Sequence, residues 1–372
     1  MNRINFISIQ NSHGIPAKGY HPPFVRTGFE SIIAQRTNPL FAYCAKEDGV
    51  VTKVTDKGVV VQYKSGKMIG VELGRQFGRS EGSIFPFDIE ASVKEGESFK
   101  KGDPIAYNIS YFEYDVWNPG QLVMKNSLTA KTVLWETKQT HEDASSISKK
   151  LSEKLETRVT YLRSFVVTFE QNIHHVVKPS QTVKPQDILM SVEDEITSQI
   201  GTFGENAIET LKGLSKQSPR SNYFGIVDRI EVFYHGDKEQ MSSSLRKLAD
   251  LSDQFISEQA KSTHKPKFTG EVTDDYRVEG TPLGLNKAEI RFYITVNMNM
   301  GIADKVVFAN QMKSVNSEVM DYKLYTEAGE EIDAVFGCRS IAARNVMSPY
   351  ILGTTITLLK LFAQNAVKLY NE

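Results

Sequence analysis

The stretch "GVVTKVTDKGVVVQYKSGKMIGVEL", residues 49–73, alternates β-branched with polar side chains and is punctuated by "DG", "DKG" and "KSGK". A period of two sends successive side chains to opposite faces, and those breaks are hairpin turn signals. The stretch is therefore committed to antiparallel strands. "ASVKEGESFKKGDPIAYN" follows as a strand, a tight turn and a second strand, and a weaker echo lies in "HVVKPSQTVKPQDILMSV". Val93 and Val177 begin the two copies. Lys-Gly-Asp at 101–103 corresponds to Lys-Pro-Gln-Asp at 184–187, which makes the second copy one residue longer. "YFGIVDRIEVFYHGD" and "LNKAEIRFYITVNM" are further strands. Helical spacing is expected over 142–156, where Ile147, Leu151 and Leu155 recur every four residues, and more weakly over 193–213. A third helix is expected over 238–262, with Leu245, Leu248, Leu251 and Phe255 on one face. The fold class is α+β, rich in β.

A chain of 372 residues exceeds one compact core, so two or three modules are expected. Lys+Arg 44 against Asp+Glu 45 leaves a formal charge of -1. Nucleic-acid binding by such a chain has to come from a local cationic patch. Cys44 and Cys338 are far apart and form no C-x-x-C, which reads as reduced thiols with no zinc knuckle. "MNRINFISIQNSHG" carries too short an apolar stretch for a signal peptide. The apolar run "PYILGTTITLLKLFAQNAVKLY" is interrupted by Lys360, Gln364, Asn365 and Lys368, and reads as an amphipathic helix that does not span a membrane.

Three constellations can carry chemistry. In "MNMGIADKVVFANQMKSV", Asp304 precedes Lys305, and Lys313 follows eight residues on. Two lysines converging on a dry groove repel unless an anion lies between them, phosphate above all; otherwise they are solvated strand-end residues. In "THEDASSIS", Glu142 and Asp143 open the expected helix, where acids suit the positive helix end; a metal or catalytic role is the alternative. In "CRSIAARNVMSPYILGTT", Arg339 and Arg344 flank a turn and either fork onto a phosphate or pair with a surface acid. His174-His175 has no further ligand at metal spacing. The phosphate-loop, nucleophile-elbow, zincin and dinucleotide motifs are all missing, so no self-sufficient active site is visible.

Taken in order, these pieces resemble the C-terminal half of the β subunit of multisubunit RNA polymerases. "HGIPAKGYHPPFVRTGFE" (13–30) resembles a segment reading V-P and then P-L-V-G-T-G-M-E; "DGVVTKVTDKGVVVQY" resembles the hairpin after it, and "FGRSEGS" (77–83) the family's R-S-N-Q-x-T. "VKEGESFKKGDPIAYN" matches a strand ending in G-D-x-x-A. "GQLVMKNSLTAKTVLWETKQTHEDASSIS" (120–148) is similar to G-E-L-A-L-G-x-N, V-A-F-M-P-W and Y-E-D-A-x-x-I-S, with Trp135 and Glu-Asp-Ala in register. "GIVDRIEVF" resembles the entry to the flap. "ADKVVFANQMKSV" lies where the family has G-D-K-x-x-G-R-H-G-N-K-G-V, and "GEEIDAVFGCRSIAARNVMSPYILGTT" resembles V-D-I-V, G-V-P-S-R-M-N and the next helix. Two departures stand out: Phe308-Ala309-Asn310-Gln311 replace Gly-Arg-His-Gly, and Ser12 occupies the place of an arginine.

The resemblance implies a discontinuous double-psi barrel from 1–35, 118–150 and 292–372, with "EIRFYITV" as a barrel strand leading to the lysines. It implies an inserted β module at 36–117 and a flap-like module at 151–291. Lys305 and Lys313 would contact the RNA 3′ end and the incoming nucleotide, with Asp304 beside them. Arg344 would hold the triphosphate, and Glu142 and Asp143 would lie near a second Mg2+. The Mg2+ ligands themselves would sit on a β′-like partner. Further expected partners are an N-terminal β-like subunit, DNA template, RNA transcript, nucleoside triphosphates, and a promoter-specificity factor at 238–262. A split, divergent subunit of the kind found in giant bacteriophages is implied, working in the bacterial cytoplasm and open to packaging in a virion. The alternatives are a non-catalytic β adaptor or scaffold, of which a biotin- or lipoate-type carrier would need an acceptor lysine between methionines, and a nucleic-acid-binding relic of such a subunit.

Overall fold

Six strands from distant parts of the chain close a barrel. The computed structural model describes residues 3–12, 14–80, 82–193, 218–263 and 269–371. The elements that position the site are β1 (Arg3–Asn11), β2 (Leu128–Leu134), β3 (Ala144–Ser148), α1 (Lys149–Lys154), β4 (Thr157–Thr168), β5 (Gly225–His235), α2 (Ser243–Ser262), β6 (Lys287–Met298), β7 (Lys305–Phe308), β8 (Met312–Met320), β9 (Ala334–Phe336) and α3 (Ser348–Asn371). The barrel order is β1-β2-β9-β3-β8-β7, closing back on β1. β2–β9 and β3–β8 pair in parallel, and the other four pairs are antiparallel. Ile7, Ile9, Ile147, Val306, Phe308 and Phe336 fill the interior, where the Phe308 and Phe336 rings stack with centroids 4.6 Å apart. The first half of α3 lies on β1, with the Phe6 N–H donating to Thr357 Oγ1 at 2.8 Å.

β6 is not a barrel strand. It pairs along its whole length with β4, from Thr157↔Met298 to Thr168↔Lys287, and with β5 on its other side. These belong to an eight-stranded sheet that also takes in Ser83–Ala91, Pro104–Asn108 and Ala42–Cys44. The alternation in "EIRFYITV" announces a strand but not its sheet, because partners are chosen by contacts remote in sequence. The chain leaves this sheet at Met298 and enters the barrel only at Lys305.

The helix expected over 142–156 is mostly replaced. Residues 144–148 form β3, flanked in the barrel by β8 and β9, and only Lys149–Lys154 is helical. Ile147 is fully buried as a strand residue. Ser148 marks the change, accepting the Leu151 N–H on its side chain at 3.1 Å. Pairing on both sides outweighs a three-residue helical spacing. Glu142 and Asp143 therefore open no helix; both have positive φ, 49° and 63°, in a tight left-handed turn before β3.

The helix expected over 238–262 begins at Ser243, capped by Ser242, after a short 3-10 turn at Lys238–Gln240. Its buried face is Leu245, Ala249, Ser252, Asp253, Ser257 and Ala260, while Leu251 is exposed. Leu245 and, in part, Leu248 of the expected stripe pack inward, but the rest of the packed face is small and polar; Ser252 Oγ accepts the Val232 N–H and Asp253 accepts from Tyr234 and Gly270. The helix expected over 193–213 lies, beyond Glu193, outside the described residues.

The echo between Val93 and Val177 is a repeat of turn chemistry. Lys94 N–H donates to Glu97 and Lys100 N–H to Asp103; in the second copy Lys178 N–H donates to Gln181 and Lys184 N–H to Asp187. Gly96 and Gly102 have positive φ, as do Ser180 and Gln186. The copies run at one constant offset, so the second is not a residue longer.

Truncating the stacked ring, Phe308→Ala, is expected to destabilise the chain by about 3–5 kcal/mol, read as a lowered midpoint in urea unfolding followed by circular dichroism.

Candidate functional site

Lys305 and Lys313 lie on one outward face of the β7–β8 hairpin. Lys305 pairs with Val315, and Val307 pairs with Lys313. The intervening positions Val306, Ser314 and Asn316 are buried. Period-two alternation then puts both lysines outside, as diagonal neighbours about 7–8 Å apart. Both are exposed. Among the described residues neither has a carboxylate within ion-pair distance, whereas Arg75, Arg158 and Arg291 are paired. Two ammonium groups about 8 Å apart repel by only about 0.5 kcal/mol in water; if a partner surface covers the face and the effective dielectric falls to about 20, that rises to about 2 kcal/mol. The pair is tolerated bare and asks for an anion once covered.

Asp304 is a turn residue. Its carboxylate accepts the Gly301 N–H at 2.7 Å, and its carbonyl accepts the Asn316 N–H at 2.8 Å. The buried Asn316 side chain donates to Gly301 O at 2.7 Å and so fixes the approach to Lys305. Asn316 was not anticipated, although a polar residue at an inward position of "MKSVNSEVM" was a readable signal. At the other end, Ala309 and Asn310 take positive φ in the tip that replaces the glycine-rich sequence of the family resemblance. Gln311 there bonds Ser348 at the start of α3.

Asp143 and Arg344 are brought together, but with each other. Nη1 and Nη2 of Arg344 grip the two carboxylate oxygens at 2.7 and 2.6 Å, and Nη1 also donates to Ser340 O. Both side chains are 45 % exposed. The Asp143 N–H donates to Ser340 Oγ at 3.0 Å, and the Asp143 carbonyl accepts the Val315 N–H at 2.9 Å. That last bond ties the Asp143 turn to the lysine-bearing hairpin. The paired guanidinium holds the Asp143 carboxyl below the usual carboxylate range, and the carboxylate raises Arg344 further. Glu142 stays exposed, with His141 between it and Glu136 at 3.8 and 3.4 Å. Gly337 makes the loop contact possible: a Cβ there would lie 2.3 Å from Thr140 O. Arg339 contributes its backbone, donating to Glu136.

Both Asp143 oxygens are engaged by Arg344, and among the described residues no three His, Cys, Asp or Glu side chains converge as a metal would require. Among the same residues no helix is long and apolar enough to cross a membrane.

No family model matches the chain. The chain is similar to the DNA-directed RNA polymerase subunit beta of Acetivibrio thermocellus, 24% identical over 288 residues that cover 69% of this chain and 22% of that protein. The matched part of the chain thus spans about a fifth of the length of this curated relative.

Because Asp143 is depressed in the folded chain, the support it gives is full above the ordinary aspartate value of about 3.9 and is lost as pH falls through the lower folded value. NMR titration of 13C-labelled aspartate is expected to find Asp143 below the ordinary range, and Arg344→Ala is expected to return it upward.

Proposed function

We propose that this chain is a subunit of a multisubunit DNA-dependent RNA polymerase, equivalent to the C-terminal part of β, and inactive alone. The observation that carries the reading is the pair Lys305 and Lys313, on one open face beside a closed six-stranded barrel and without carboxylate partners among the described residues. Similarity to a polymerase β subunit supports it. In this reading the barrel is of the double-psi type, residues 36–117 are an inserted module and 151–291 a flap-like one. Residues 238–262 meet a promoter-specificity factor. A β′-like partner carries the catalytic Mg2+, and an N-terminal β-like chain completes the subunit. The divergence fits a split phage enzyme acting in the bacterial cytoplasm.

Phosphoryl transfer concentrates negative charge on oxygens that protein cations can stabilise. Lys305 and Lys313 serve that role by holding phosphates of the transcript end and the incoming nucleotide. Two fixed cations so close are offset by the phosphates they bind once partner subunits exclude water. Asp304 acts as a positioning residue, holding the turn that starts β7. Arg344 reaches a triphosphate only after exchanging Asp143 for it. Glu142, exposed at the same end of the barrel, faces the partner that holds the metal.

Purified complex carrying Lys305→Ala or Lys313→Ala is expected to assemble normally and to add nucleotides at least 100-fold more slowly in single-turnover extension. Extension at the wild-type rate would remove the catalytic role and leave a binding relic.

A further inference from the structure

A second group of cations lines a cleft that the polymerase reading does not use. It has a volume of about 310 Å3 and lies between the segment after β1, the inserted β module and the start of β4. Lys18, Lys125, Arg158 and Ser110 supply its donors, and Glu156 is its one carboxylate. Lys125 is the unusual member. It is partly buried, its ammonium donates to the Ile109 carbonyl, and among the described residues no carboxylate lies within ion-pair distance. Burial pushes its pKa down, and the charge of Glu113 opposes that shift only in part. Arg158 donates through Nη2 to Asp88 at 2.7 Å and to Ser110 Oγ at 3.3 Å, but Asp88 is shared with Arg75. Lys18 reaches Glu156 only at 3.9 Å and is 72 % exposed, so it is scarcely committed.

The wall is therefore rich in donors, poor in carboxylates, and holds one partly desolvated ammonium with no carboxylate within ion-pair distance among the described residues. We propose that this cleft is a phosphate-binding site, with Lys125 at its base, Arg158 on its flank and Lys18 at its rim. Three cations set at separate positions suit the several acceptor oxygens of a phosphate better than the two of a carboxylate. The cleft is also close to the lysine face along the chain. Ser12 N–H donates to Lys305 O at 3.2 Å, and the six residues from there to Lys18 span at most about 20 Å. A nucleic-acid strand carries one phosphate per about 3.4 Å of axis, so one strand can reach both places. The phosphate chemistry stands on the donor set alone; its source in a nucleic-acid backbone rests on the polymerase reading.

The test uses the full chain with inorganic phosphate and with a short RNA–DNA hybrid as probes, in wild type, Lys125→Met and Lys18→Ala. Calorimetry is expected to show phosphate binding at least tenfold weaker in Lys125→Met and a few-fold weaker in Lys18→Ala. Phosphate is also expected to slow acylation of Lys125, read by mass spectrometry, while exposed Lys67 reacts unchanged. If Lys125→Met fails to fold, Lys18→Ala and the acylation footprint decide the matter. Equal phosphate binding by wild type and Lys18→Ala, together with a Lys125 footprint indifferent to phosphate, overturns the proposal. Hybrid binding that phosphate displaces and Lys125→Met weakens assigns a nucleic-acid backbone; hybrid binding unchanged in a variant that has lost phosphate assigns a free phosphate. Slow extension by Lys305→Ala with phosphate binding intact keeps the two readings separable.

Discussion

Closure of the barrel by the β7–β8 hairpin is the constraint on which the rest depends. The hairpin joins β1 on one side, through Ile9↔Phe308 and Asn11↔Val306, and β3 on the other, through Ala144↔Val315. It unites residues about 300 positions apart, which for a flexible loop costs about 5 kcal/mol in closure entropy. The inserted sheets shorten that effective loop by folding on themselves. The stacked Phe308 and Phe336 rings then draw β7 and β9 together in the interior. With the interior fixed, alternation leaves Lys305 and Lys313 no choice but the outer face.

What could be read beforehand follows local rules. Hairpins in 49–72 and the long β5 and β6 strands are properties of short windows, and so is the turn chemistry at Lys94, Lys100, Lys178 and Lys184. What could not be read depends on partners far away. Ile147 served a strand because β8 and β9 flank it, and β6 served a different sheet because β4 and β5 do. Leu245 and Leu248 made part of the packed face of α2 legible; Ser252 and Asp253 did not show, because they are buried by their hydrogen bonds and not by apolarity. For the candidate site, alternation made the common face of the two lysines legible in principle. The union of Asp143 with Arg344 was not, since those residues are separated by 201 positions.

The charge balance of the chain is better understood site by site than as a net value of -1. Many arginines are committed internally: Arg75 and Arg158 share Asp88, and Arg291 holds the buried Glu289. Those carboxylates are stabilised in their charged forms by the guanidiniums they face. Lys305, Lys313 and Lys125, like other lysines among the described residues, have no carboxylate within ion-pair distance. An ammonium on a flexible stem can meet an anion arriving from outside, whereas a guanidinium fork suits partners already in place.

Arg344 is the arginine that bridges the two behaviours. Its fork is satisfied by Asp143, yet both groups are half exposed, where an ion pair is screened and only weakly favoured. In the proposed polymerase reading, a triphosphate, with more oxygens and more charge than one carboxylate, would compete with Asp143 for the fork. The Asp143 turn is bonded through its carbonyl to Val315, directly across from Lys305. Release of Arg344 would leave Asp143 uncompensated beside that face, adding an acid where the lysines gather phosphate. In that reading Lys305 would then be the counter-charge that completes the exchange. The same fork that is a closed surface pair in this chain would, in the proposed polymerase reading, be a resting position from which phosphate is taken up.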